Sequence, residues 1–102
     1  MKRILLVLIF LIFNSILVFA DSNIELGLEV YNNKAMCGTC HVLKAAGSAG
    51  NIGPNLNQIR PDQMRIIVAV TNGIGVMPAY EGELSSLEIE AVAKYVYEAS
   101  NH

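Results

Sequence analysis

The chain has 102 residues, 53% of them apolar, with seven basic and nine acidic side chains and a formal charge of −2. That average hides two unlike segments: 16 of the first 20 residues are apolar and include all three Phe, whereas residues 21–102 hold 38 apolar residues in 82, ordinary for a globular domain. The second segment has room for a single domain, and its five basic and nine acidic side chains form no basic cluster, which excludes a nucleic-acid-binding surface.

Met1-Lys2-Arg3 precedes an apolar run that opens at Ile4 and closes on Val18-Phe19-Ala20. A basic n-region, an apolar h-region and a small-residue site predict a signal peptide over residues 1–20, cleaved after Ala20. Export across a membrane, to the periplasm, then follows for a domain spanning residues 21–102. An uncleaved anchor is the alternative, because the 17 residues Ile4–Ala20 sit at the short edge of a membrane span.

Within the domain, Ile24, Leu28 and Tyr31 are spaced for a short helix over residues 24–35, with Gly27 on a neighbouring face. Residues 42–60 are rich in Gly, Pro, Ser and Asn and read as a long polar loop, of the kind that is functional or wrapped around something. Pro61 and Asp62 open a second helix, with an inward stripe expected at Met64, Ile67, Val68 and Thr71 and a stop at Asn72-Gly73. Gly73 to Gly82 is another loop. Ser85 to Glu88 is a capping box, followed by a stripe of Ile89, Val92, Ala93, Val96 and Tyr97 that defines the last helix. No segment reads as a strand. The expected fold is all-α, made of short helices joined by loops too long for a bundle.

The chemistry concentrates in Cys37-Gly38-Thr39-Cys40-His41, which contains the only two cysteines of the chain and one of its two histidines. C-x-x-C-H is the spacing of c-type haem attachment. Two thiols on one helical turn can each add across a haem vinyl group, and the adjacent imidazole then falls beneath the iron as an axial ligand. A covalent haem would also fill a core that four Tyr and a small aliphatic set leave short of bulk. A thioredoxin-like redox pair lacks the βαβ context it needs, a disulfide between residues this close would constrain little chain, and a zinc site lacks a credible fourth ligand.

The sixth position on the iron has four candidate donors: Met36, Met64, Met77 and His102. Met36 abuts the attachment turn, Met64 reads as core filling, and His102 stands at the chain end. Met77 lies in Gly73-Ile74-Gly75-Val76-Met77-Pro78, where glycines permit close approach and Pro78 stiffens the segment. Met77 is the expected ligand. Gly53-Pro54-Asn55-Leu56 offers the Pro54 carbonyl as an acceptor for the ring N–H of His41, although the same residues would also make a plain turn.

These residues resemble the class I c-type cytochromes over nearly all of residues 21–102. The resemblance runs from the Gly27/Tyr31 helix through Cys37–His41, Gly53-Pro54-Asn55-Leu56 and Gly75-Val76-Met77-Pro78 to Ala91-Val92-Ala93-Lys94-Tyr95-Val96. It implies a cytochrome c fold around one haem c attached through Cys37 and Cys40. His41 would be the proximal ligand, Pro54 its carbonyl partner and Met77 the distal ligand. It also implies that the first and last helices cross at Gly27 and Tyr31 against Val96 or Tyr97. Tyr31 precedes Cys37 by six residues where four is usual, which implies a small bulge before the attachment site. Within the family, Asn72 to Tyr80 followed by the terminal helix is similar to the haem subunit of periplasmic sulfite dehydrogenases, in which a molybdenum-cofactor subunit is the partner.

The function expected is one-electron transfer by a His/Met-ligated haem, in a protein that is not itself an enzyme. Electrons would pass beside the thioethers near Gly38-Thr39, with Lys34 and Lys44 as a small positive rim; Arg60 reads as a solvated surface residue, with a propionate contact as the alternative. The competing readings are a free-standing carrier to a terminal oxidase, a ligand-binding or sensor haem if Met77 is not coordinated, and a thiol oxidoreductase using Cys37 and Cys40.

Overall fold

The computed structural model of the protein describes residues 23–101. The segment expected to be a signal peptide, and His102, lie outside the described residues. The first helix, α1, covers residues 23–29 and runs directly into a π-helical turn, Val30–Lys34. This turn is the bulge expected from the Tyr31–Cys37 spacing. A wider turn inserts extra chain without breaking the helix, and it closes through Ala35 N donating to Val30 O at 2.8 Å.

The segment read as one polar loop is more structured than its composition suggests. Val42–Leu43 (β1) pairs antiparallel with Ser48–Ala49 (β2), Val42 opposite Ala49 and Leu43 opposite Ser48. The expectation of no strand is corrected here, although two residues per strand leave the fold all-α. Leu43 is fully buried, and the Ser48 hydroxyl accepts from its backbone N–H at 3.0 Å. Leu56–Ile59 then forms a short helix, α2, because the Asn55 side chain caps it by accepting from the N–H groups of Asn57 and Gln58.

Helix α3, Gln63–Asn72, is capped by Asp62, whose carboxylate accepts from Arg65 N at 2.8 Å. It ends at Gly73, as expected. Its inward face is not the expected one: Ile66 and Val70 are buried, whereas Met64 is 66% and Val68 49% exposed. The run Ile66-Ile67-Val68-Ala69-Val70 is apolar on every side, so periodicity leaves its rotation undetermined. Packing against the last helix decides it.

That helix, α4, spans Ser86–Ser100 and starts with the expected capping box, Ser85 Oγ accepting from Glu88 N and Glu88 Oε1 accepting from Ser85 N. Ile89, Val92, Ala93 and Val96 are buried as expected, but Tyr97 is 40% exposed and Tyr95 takes its place inside. The reason is that α4 is covered on two sides. Val92 and Val96 face a large cavity, while Ala91 and Tyr95 lie against Gly27 of α1. Tyr31 meets Tyr95 edge-on, with ring centroids 5.9 Å apart. The helix crossing therefore uses Tyr95, not Val96 or Tyr97.

Lys34, at the end of the π-turn, is ion-paired with Glu88 in the first turn of α4. The Lys34 ammonium holds the Glu88 carboxyl below its ordinary range, helped by the Ser85 backbone N–H. A depressed carboxyl stabilises the fold above its unfolded-state pKa and loses that contribution as pH falls through the folded-state value. Glu88→Gln, which keeps the capping acceptor, is therefore expected to lower Tm at pH 7. The gap to the wild type should close as melting is repeated down to pH 3.

Candidate functional site

Cys37–Thr39 forms one tight helical turn in which Cys40 N and His41 N both donate to Cys37 O, at 3.1 and 3.0 Å. The chain enters it through Met36 in the left-handed region, φ 52° and ψ 46°. For a residue with a side chain this costs about 1–2 kcal/mol. The return is that Cys37, Cys40 and His41 all line one cavity, of about 510 Å³.

His41 is oriented from behind. Its Nδ1 lies 2.7 Å from the carbonyl oxygen of Pro54. A carbonyl can only accept, so Nδ1 carries the proton and the Nε2 lone pair is left free to bind a metal. The acceptor is held in place by Gly53 N donating to Cys40 O at 2.7 Å. Gly53 has no alternative residue here: a Cβ at this position would lie 2.6 Å from Cε1 and 2.9 Å from Nδ1 of the imidazole. The turn also considered for these residues is thus a platform under the ring, continuing into α2.

Met77 opens onto the same cavity from another element. Residues 74–77 close into a tight turn, Met77 N donating to Ile74 O at 2.9 Å and Ile74 N to Met77 O at 3.2 Å. Met77 is half-buried and packs against the hydrophobic core. The structure thus brings Cys37, Cys40, His41, Pro54 and Met77 to one cavity, although they span forty positions of sequence. Of the other donors considered, Met36 also lines it and Met64 does not.

Three polar side chains at the cavity went unrecognised as such in the sequence: Tyr31, Tyr80 and Arg65. Arg65 follows from the true rotation of α3, which turns residues 65, 66, 69 and 70 toward the cavity. Arg60 is exposed at φ 43° and does not line the cavity, as a solvated surface residue should, and the alternative propionate contact falls away. The expected positive rim is reduced, because Lys34 is neutralised by Glu88. Gly38 is not at the mouth either, since Ser48 packs over it. Apart from Arg65, the residues that both line the cavity and are exposed are apolar, among them Met36, Ile52, Ile74 and Val76.

Neither cysteine is in a disulfide. Burial pushes the Cys37 thiol up to about 11. Catalytic redox thiols are shifted the other way, toward the thiolate. The arrangement therefore suits an alkylated cysteine, which never ionises, better than a thiol oxidoreductase.

Residues 22–96 match the family described as cytochrome c oxidase, cbb3-type, subunit III. Cytochrome c6 of Chlorolobion braunii is 32% identical over 88 residues, covering 76% of this chain and 92% of that protein. The cbb3-type cytochrome c oxidase subunit FixP of a Bradyrhizobium strain is 39% identical over 66 residues, 60% of this chain but only 23% of its own length. Among solved structures, the c-type cytochrome SorU from Sinorhizobium meliloti superposes with a TM-score of 0.73 at 44% identity, covering 78% of this chain and 93% of SorU. The fold is that of cytochrome c, and the chain belongs to the c-type cytochrome family.

It is accordingly an electron-transfer protein, not an enzyme, and its cofactor is one covalently attached haem c. The cavity fits such a group. It is large and walled by apolar side chains, including Leu56, Ile66, Val70, Val92 and Val96, with both thiols and one imidazole on its wall.

Proposed function

We propose that this cytochrome is a periplasmic one-electron carrier, with haem c joined to Cys37 and Cys40 and its iron held between His41 and Met77. Haem c supplies a one-electron couple between Fe(III) and Fe(II), and His/Met ligation raises its potential. The observation that carries the reading is the His41–Pro54 hydrogen bond at a cavity that Met77 also lines. That bond fixes the tautomer and the ring plane. The turn at residues 74–77 presents a thioether, a weak neutral donor that favours the less charged reduced state. Apolar walls exclude water and disfavour the additional charge of the oxidised state.

Met77→Ala is expected to abolish the weak thioether-to-iron absorption band at the red edge of the oxidised spectrum, while the pigment stays covalently bound. Fast carbon monoxide binding by the reduced wild type would overturn the carrier reading in favour of a ligand-binding haem.

The physiological donor we infer is a molybdenum-cofactor subunit that oxidises sulfite. The Asn72–Tyr80 loop with its terminal helix, similar to the haem subunit of periplasmic sulfite dehydrogenases, supports this pairing over a free carrier to a terminal oxidase. Purification from the native organism is expected to bring down a molybdenum protein that reduces the haem with sulfite. Co-purification with an oxidase and no response to sulfite would overturn the assignment.

A further inference from the structure

The two features of the chain that the site does not yet explain are the π-turn before the attachment residues and the tyrosine three positions after Met77. They meet. The Tyr80 hydroxyl donates to the carbonyl oxygen of Ala35 at 3.2 Å, across 45 residues of sequence. Ala35 is the residue that closes the π-turn. The extra chain inserted there presents its carbonyl to Tyr80, two residues before Cys37.

The rest of the anchoring of the Met77 loop is local. Tyr80 N donates to Val70 O at 2.8 Å and Glu81 N to Thr71 O at 3.4 Å, both in the last turns of α3. The turn at residues 74–77 bonds only within itself, and Leu84 N returns to Tyr80 O at 2.9 Å. Among the described residues, the Tyr80 hydroxyl makes the loop's only hydrogen bond to the segment that carries the attachment cysteines. The ring beneath it lines the cavity and packs against the core. Loop and attachment segment are thus tied across the cavity by one side chain.

We propose that Tyr80 is a positioning residue: its hydrogen bond to Ala35 holds the Met77 loop against the attachment segment and sets how often the thioether leaves the iron. The proposal rests on Met77 ligation as proposed above. Loop release is a two-state event, and an outside ligand for iron binds only the released state, so its apparent affinity reports the released fraction. Loss of one neutral hydrogen bond changes such a population about fivefold.

The test is imidazole titration of the oxidised holoprotein, followed optically, for wild type, Tyr80→Phe, Tyr95→Phe and Met77→Ala. Tyr80→Phe keeps the ring and the thioether band but is expected to bind imidazole about fivefold more tightly. Tyr95→Phe removes the hydroxyl of a buried ring at the helix crossing that does not line the cavity, and is expected to leave imidazole affinity unchanged. Equal affinity in wild type and Tyr80→Phe would overturn the clamp while leaving Met77 ligation intact. Equal tightening in both tyrosine variants would mean general loosening and would overturn it too. A wild type without the thioether band, whose imidazole affinity Met77→Ala does not change, would remove the ligation reading and the clamp with it.

Discussion

Gly27→Val is expected to destabilise the holoprotein by about 3 kcal/mol, the upper range for overpacking a tight contact. Even a single Cβ at residue 27 would lie 2.4 Å from Ala91 O and 2.6 Å from Tyr95 Cβ. The first of these obstacles is helix backbone, so no rotamer change relieves the clash and α1 and α4 must separate. Separation also opens the Tyr31–Tyr95 edge contact and exposes the fully buried Val30 and Tyr31. Helix propensity works in the opposite direction, favouring Ala over Gly by about 1 kcal/mol. Gly27→Ala should therefore fall between wild type and Gly27→Val. In a domain of this size the valine variant should lose roughly 12–24 °C in Tm. The measurement is thermal and urea melting of the haem-loaded protein, and an alanine variant more stable than wild type would show that the helices separate freely.

The second large effect concerns attachment. Cys37→Ala with Cys40→Ala is expected to abolish covalent retention of the haem, so that acidified organic solvent extracts the pigment completely. Each single variant should retain it through one remaining thioether. The wider consequence is stability. Side chains from α3, α4 and the loops, among them Met77, Tyr80 and Ile74, open onto a cavity of about 510 Å³ that only a large apolar group can fill. A ligand that binds the folded state alone contributes to stability by mass action, and a covalent one cannot be diluted away. The double variant should therefore melt at a temperature that rises with added haem, whereas the wild type should not respond.

Much of the site was legible because its parts are local in sequence. Cys37, Cys40 and His41 share one turn, and a turn's geometry depends on spacing alone. The capping box at Ser85 and the helix start at Asp62 were readable for the same reason, since each side chain satisfies a backbone N–H group three residues on. Even the π-turn was foreshadowed, by a count of residues between Tyr31 and Cys37. Asn55 carried the same kind of signal for α2, and was obscured by the Gly and Pro around it.

What stayed hidden needed a partner from elsewhere in the chain. The rotation of α3 was ambiguous because Ile66 to Val70 is apolar all round, and only the position of α4 and the cavity selects Ile66 and Val70 over Met64 and Val68. Tyr95 and Tyr97 look alike in sequence, but Gly27 admits one of them to the crossing. Lys34 reads as a free cation until Glu88, 54 residues away, is seen beside it. The sequence by itself determined that a small all-α domain attaches a haem at Cys37 and Cys40, because covalent chemistry and helix capping are written in short spacings. Only the tertiary structure decided which faces turn inward, which tyrosine joins the two helices and which one ties the Met77 loop, because those depend on contacts between segments whose separation in sequence carries no geometric signal.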